Sequence, residues 1–171
     1  EGGTFLLNCP WTEDELETRL TGKIKRDLAK KHINFYIIDA AKIAAEIGLG
    51  KRTNNVLQGA FFALTKVIPM DVAEEDMKRN NYNSYFKKAG QKIVDLNNKA
   101  VDLGISAAVK INIPAEWATA EDTPAAMPKN ATPFVRDIVV PMDRQKGDKL
   151  PVSVFQKYGV LDGTWENGTS A

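Results

Sequence analysis

The chain has 171 residues, 43% of them hydrophobic, and its 23 Lys/Arg nearly balance 22 Asp/Glu. This is enough apolar material for one sizeable core with a small appendage, and no run approaches the ~18 apolar residues of a membrane span. The basic residues alternate with acids and are not interleaved with stacking aromatics, which argues against a nucleic-acid surface. The single cysteine, Cys9, excludes an intrachain disulfide, a CxxC metal site and an iron–sulfur cluster held by this chain alone. Cys9 reads as a small buried residue after a strand. His32, the only histidine, reads as a partner for a helix C-terminus, and no Ser/His/Asp or Cys/His constellation can be assembled.

The chain opens at Glu1-Gly2-Gly3 with neither a basic n-region nor an apolar h-region, a start expected of an internal piece of something longer. Thr4 to Asn8 is a short apolar run between Gly-Gly and Pro10, which predicts a buried strand. Thr12 with Glu15 forms a capping-box pattern. Leu16, Leu20, Ile24 and Leu28 then recur at spacing four, interrupted at Thr21-Gly22, which predicts two short helices on one face of a sheet. Asn34 to Asp39 is continuously apolar between its two polar ends, as in a parallel strand covered on both faces. A helix from Ala40 to Ile47 follows. The order strand, helix, strand, helix predicts an α/β fold, with Asp39 at the carboxyl edge of the sheet either as a ligand or as the N-cap of its own helix.

Between that helix and the next lies Gly48-Leu49-Gly50-Lys51-Arg52-Thr53-Asn54-Asn55. Two glycines permit unusual φ, two cations follow, and Thr and Asn stand where a helix N-cap belongs. The positive end of the next helix, Lys51 and Arg52 together suit a phosphate group, whereas the plain alternative is a capped helix end with two solvated cations.

Val56 to Ile68 carries apolar residues on more than one stripe, as an enclosed helix would, and stops at Pro69. A charged helix from Val72 to about Lys88 has Met77, Tyr82, Tyr85 and Phe86 as contacts. Gly90 breaks it, and Gln91 to Leu103 continues with Ile93, Leu96, Ala100 and Leu103 inward. Asn97 and Asn98 read either as polar contacts to a partner chain or, as the commoner fate, as exposed surface residues. From about residue 111 the chain turns irregular, with Pro114, Trp117, Pro124, Pro128 and Pro133 suggesting docking by isolated anchors. Thr132-Pro133 predicts a helix start, with the helix from Phe134 ending before Pro141. Leu150 to Phe155 reads as a short edge strand, and turns are expected at Gly147-Asp148, Tyr158-Gly159 and Asp162-Gly163.

Three segments carry a family resemblance. They are Gly-Gly-Thr-Phe-Leu-Leu-Asn at 2–8; Phe-Tyr-Ile-Ile-Asp-Ala at 35–40 with the Gly-Leu-Gly-Lys-Arg-Thr-Asn turn and Ala-Phe-Phe at 60–62; and Pro-Met-Asp-Arg-Gln-Lys-Gly-Asp-Lys-Leu-Pro-Val-Ser at 141–153. In this order they resemble the pyruvate:ferredoxin (flavodoxin) oxidoreductase family. The resemblance implies an internal fragment of a multidomain enzyme that decarboxylates a 2-oxoacid, most simply pyruvate, on thiamine diphosphate with Mg2+. Electrons would pass through [4Fe–4S] clusters to ferredoxin or flavodoxin, and coenzyme A would be acylated to acetyl-CoA.

On that resemblance, residues 1–112 are the later part of an α/β γ-type domain, a partial parallel sheet flanked by helices. Residues 113–171 are an irregular Pro-rich linking element with a short helix, preceding a ferredoxin-like domain. The family's phosphate-contacting Arg-x-Asn turn falls on Arg52 and Asn54. The Gly-rich loop with lysine that belongs earlier in the domain is absent here, and Cys9 stands where serine is usual. The resemblance places thiamine, metal and cluster ligands outside this chain, so that the fragment alone would be inactive. It further implies a cytoplasmic homodimer whose partners are the remaining domains and ferredoxin or flavodoxin, with neither nucleic acid nor membrane. The alternatives are a free-standing nucleotide-binding α/β module, which would need a Gly-rich strand-to-helix loop of its own, and a structural interaction segment.

Overall fold

The computed structural model describes residues 1–122, 127, 129 and 131–158. It divides into two compact units, Glu1–Thr123 and Pro124–Ala171. In the first, strand β1 (Thr4–Asn8) leads through helices α1 (Glu13–Arg19) and α2 (Gly22–Lys30) to β2 (Asn34–Ile38). The two strands are parallel neighbours, with Phe5 opposite Phe35 and Leu7 opposite Ile37. This is the predicted arrangement, because two parallel strands require a crossover and α1–α2 supply it. A two-residue strand β3 (Val109–Lys110), too short to leave a period in the sequence, adds antiparallel to β2 and completes the order β1-β2-β3. β2 is therefore the central strand and carries Phe35, Ile37 and Ile38 buried, whereas β1 lies at the edge and is only half-covered. The expectation of a buried β1 is corrected by its lack of a neighbour on one side.

One face of the sheet packs on Leu16, Leu20 and Leu28 with Ile111 and Trp117; Cys9 lies in this cluster as a buried free thiol. The N-terminus of α1 has the expected capping box of Thr12 and Glu15. At the end of α2, Ile33 N donates to Leu28 O and His32 N to Ala29 O, a Schellman closure with His32 in the left-handed position at φ 52°. After β3 the chain docks on α2 through single anchors. Trp117 is buried within a short 3-10 turn (Ala115–Thr119), and Arg26 reaches Ala120 O and Asp122. Among the described residues of this segment no longer helix forms, as the irregular reading requires.

A second apolar cluster joins Ile38, Ala40, Ala44, Leu49, Val56, Ala60 and Ala100. It is built from α3 (Ala40–Glu46), α4 (Asn54–Thr65) and the long α5 (Met70–Ala107). α4 ends at Lys66 with φ 50°, earlier than Pro69, and Phe61 remains 49% exposed, so α4 is not enclosed all round. α5 does not continue through Gly90 (φ 76°, ψ 176°), a conformation essentially reserved for glycine. Its halves fold back on each other. Lys78 Nζ meets Asp102 at 2.7 Å, Asn81 Nδ2 donates to Asn98 at 3.1 Å, and Met77 shares a cluster with Val101. Tyr82 and Phe86 are exposed and stack on one another at 4.6 Å, rather than forming core contacts.

In the second unit, Thr132 caps a helix with Pro133 at its first position, as expected; Val135 N donates to Thr132 Oγ1 at 3.3 Å. The helix does not end before Pro141. It runs as a π-helix over Val135–Val139 and continues as α6 (Val140–Asp143). Pro141 lacks an N–H and its ring would clash with the Asp137 carbonyl of a regular α-helix; the wider π turns relieve that conflict. The expected edge strand at 150–155 is instead helix α7 (Val152–Lys157), started by Pro151. Alternation of Val152 and Val154 imitates a strand, but Pro151 fixes a φ suited to a helix start. A 3-10 turn occupies Gly147–Lys149, where a turn was expected. Pro124, Pro128, Gly159 and Asp162-Gly163 lie outside the described residues.

Candidate anion site

The Gly48–Asn55 stretch is assembled from two helix ends. At the start of α3, Asp39 accepts from Lys42 N at 2.9 Å, so it is the N-cap of its own helix. Seven helical residues, about 10 Å, separate it from the glycine turn, and the two features are not brought together by the chain. At the other end, Leu49 N donates to Ala44 O at 2.8 Å and Gly48 N to Ala45 O at 3.1 Å, with Gly48 at φ 87°. This is a complete Schellman motif, and Leu49 fills its hydrophobic position, 2% exposed. The first glycine thus serves as a helix cap, as the plain reading held.

The second half of the stretch behaves differently. Gly50 (φ 60°) turns the chain outward, and Arg52 N returns to Leu49 O at 3.3 Å. Arg52 Nε also donates to Leu49 O at 3.2 Å, which ties the guanidinium to the turn by one edge. Lys51, Arg52 and Asn54 are exposed, and among the described residues neither cation has a carboxylate partner. Thr53 occupies the N-cap position of α4 but makes no side-chain cap. The expected Thr cap is therefore not made, and a twelve-residue helix begins just after two exposed cations.

Behind this turn lies a feature that sequence reasoning missed. Asn55, in the first turn of α4, donates from Nδ2 to Asn97 Oδ1 at 2.7 Å, and Asn97 Nδ2 donates to Ile93 O at 2.7 Å. Both amides are buried, so the surface expected for Asn97 is corrected; Asn98 is half-buried and accepts from Asn81. The signal was present in the spacing, since Asn97 falls on the stripe of Val94, Val101 and Gly104. Cavities of about 340 and 320 Å³ elsewhere in this unit are bordered by Leu28, His32 and Ile113, and by Glu13, Glu17 and Trp117. Neither includes the turn.

A parallel strand pair with helical crossover, and a cationic turn heading a helix backed by buried amides, define an α/β domain with an exposed cationic loop. Residues 1–107 match the family described as pyruvate ferredoxin/flavodoxin oxidoreductase, and the chain belongs to that family. Residues 120–171 match a second family, EKR, a domain of unknown function. The chain is 49% identical over 170 residues to a pyruvate-flavodoxin oxidoreductase of Enterobacter agglomerans, covering 99% of this chain and 14% of that protein. It is 45% identical over 160 residues to a pyruvate:ferredoxin oxidoreductase of Moorella thermoacetica, covering 94% and 14%. A pyruvate dehydrogenase [NADP(+)] of Cryptosporidium parvum is 38% identical over 188 residues, covering 94% and 10%. The chain thus spans about one seventh of the length of the bacterial relatives.

Proposed function

We propose that these residues act within a longer oxidoreductase that converts pyruvate and coenzyme A to acetyl-CoA and CO2, passing electrons to ferredoxin or flavodoxin. In that reading residues 1–112 belong to a γ-type domain, and residues 113–171 form the element linking it to a ferredoxin-like domain. Arg52 and Asn54 contact a phosphate of coenzyme A. The observation that carries this role is the pair Lys51 and Arg52, exposed and without carboxylate partners among the described residues, at the start of a helix whose N-cap residue Thr53 makes no side-chain cap.

Thiamine diphosphate and its Mg2+ supply the carbanion chemistry, and [4Fe–4S] clusters the electron path. One cysteine cannot furnish four thiolates, and the described residues hold no group of three or more His, Cys, Asp or Glu placed for a metal. In this reading those groups are held by other parts of the longer protein, and these residues alone are inactive. The resident task of this part is to bind and orient the acyl acceptor. No described helix is long and apolar enough to cross a membrane. The reading includes a cytoplasmic homodimer.

The experiment is steady-state kinetics of the full-length enzyme with coenzyme A varied. Arg52→Ala removes charge-assisted hydrogen bonds of roughly 1.5–3 kcal/mol, so the Michaelis constant for coenzyme A rises about tenfold to a hundredfold. Single-turnover reduction of the clusters by pyruvate stays nearly unchanged. Arg52→Lys loses part of the affinity, because an ammonium lacks the planar fork.

A further inference from the structure

The first turn of α4 poses a physical problem. An uncapped helix end frays, but a local side-chain cap would consume the N–H groups that an anion needs. Thr53 makes no such cap. The turn is held from behind: Asn55 Nδ2 donates to Asn97 Oδ1 at 2.7 Å, both residues no more than 4% exposed. Asn97 is itself fixed, its Nδ2 bonded to Ile93 O one turn earlier in α5, so Oδ1 is the atom left to receive Asn55. The next residue is keyed independently, for a Cβ on Gly104 would lie 2.1 Å from Val56 O. Two successive residues of α4, three and four positions after Arg52, are thereby registered against one stripe of α5.

We propose that Asn97 is a positioning residue for the anion turn, holding α4's first turn through Asn55 so that Arg52, Asn54 and the open N–H groups converge on the phosphate of the acyl acceptor. This rests on the reading that Arg52 and Asn54 contact coenzyme A. Asn97 itself does not touch the ligand. Its amide satisfies none of the first-turn N–H groups but tethers the helix start on the buried side, which leaves the solvent side to the anion.

The test uses the full-length enzyme with four variants: Asn97→Ala, the pair Asn55→Ala/Asn97→Leu, Arg52→Ala, and Arg52→Ala/Asn97→Ala. The pair removes the hydrogen bond while roughly conserving buried volume and leaving no unpaired amide, so it keeps the fold even where Asn97→Ala does not. Expected are a three- to tenfold rise in the coenzyme A Michaelis constant in Asn97→Ala, with kcat at saturating coenzyme A unchanged. The same rise should persist in the pair even when its unfolding temperature returns to the parent's, which a merely structural role would not give. In the Arg52→Ala background, Asn97→Ala should add less than twofold. A parental Michaelis constant in the pair, in an enzyme where Arg52→Ala raises it, overturns the positioning role alone. A fully additive Asn97→Ala effect overturns it as well. An unchanged constant in Arg52→Ala overturns the coenzyme A reading itself, and the positioning role with it.

Discussion

Lys25 and Glu17 form the closest charged contact between α1 and α2: the Lys25 ammonium reaches the Glu17 backbone carbonyl at 2.6 Å and also its carboxylate. Lys25 is buried and lies over the Trp117 ring, whose Nε1 donates to the same carboxylate. The Lys25 hydrogen bond, and then that of Trp117, hold the Glu17 carboxyl below its ordinary range. Glu17→Ala leaves a buried ammonium with one carbonyl, and should destabilise by about 1–3 kcal/mol; Glu17→Gln, which keeps an acceptor, should cost less. Urea unfolding of the two variants gives the order. Because the folded value is depressed, this contribution is present at neutral pH and declines as Glu17 becomes protonated in acid.

Two glycines with different physical roles should respond differently to the same change. Gly48 has φ 87° and open space around its missing Cβ, so Gly48→Ala meets only backbone strain, about 1 kcal/mol. Gly104 is helical, but its Cβ would fall 2.1 Å from Val56 O, an atom of the α4 backbone that no side-chain rotation can move. Gly104→Ala should therefore force α4 and α5 apart and cost on the order of 3 kcal/mol or more. Thermal unfolding of both variants under one condition checks the contrast.

In the second unit, Asp137 joins the π-helix to α7. It accepts from Tyr158 Oη and from Lys157 Nζ, the latter at 2.9 Å. Those hydrogen bonds, that of Tyr158 first, lower its carboxyl to about 2. A depressed folded value means that the tie is fully present above the ordinary aspartate range and is lost as pH falls through about 2. Carbon-detected NMR titration of the Asp137 carboxyl should place its midpoint near 2, and Tyr158→Phe should move the midpoint upward. A midpoint at the ordinary value in the parent would contradict the arrangement.

Much of this architecture was legible from period and punctuation. The continuous apolar run at 35–38 and the shorter one at 5–7 gave a parallel pair, because the α1–α2 stretch between them had helical spacing and a capping box. Gly90 was visible as a break, but its fold-back was not, since a glycine in sequence does not state whether the chain bends or reverses. Pro141 and the Val152–Val154 alternation misled for opposite reasons. The first sits inside a helix because π turns accommodate it, and the second belongs to a helix because Pro151 starts one. At the candidate site, Arg52 was legible as an exposed cation after a glycine turn. Asn97 was not, because a polar residue on an apolar stripe gains meaning only when its partner, 42 residues away, is known.

Binding of coenzyme A phosphate by the Arg52 turn, as proposed, is read by equilibrium titration in the absence of turnover. Calorimetric titration of coenzyme A into the full-length enzyme and into Arg52→Ala, at one ionic strength, separates affinity from every later chemical step. The dissociation constant should rise about tenfold to a hundredfold in Arg52→Ala, with a smaller difference between the two proteins at high salt, where screening weakens the exposed charge. Coincident titrations for the two proteins would contradict it, and would return Lys51 and Arg52 to solvated cations beyond a capped helix end.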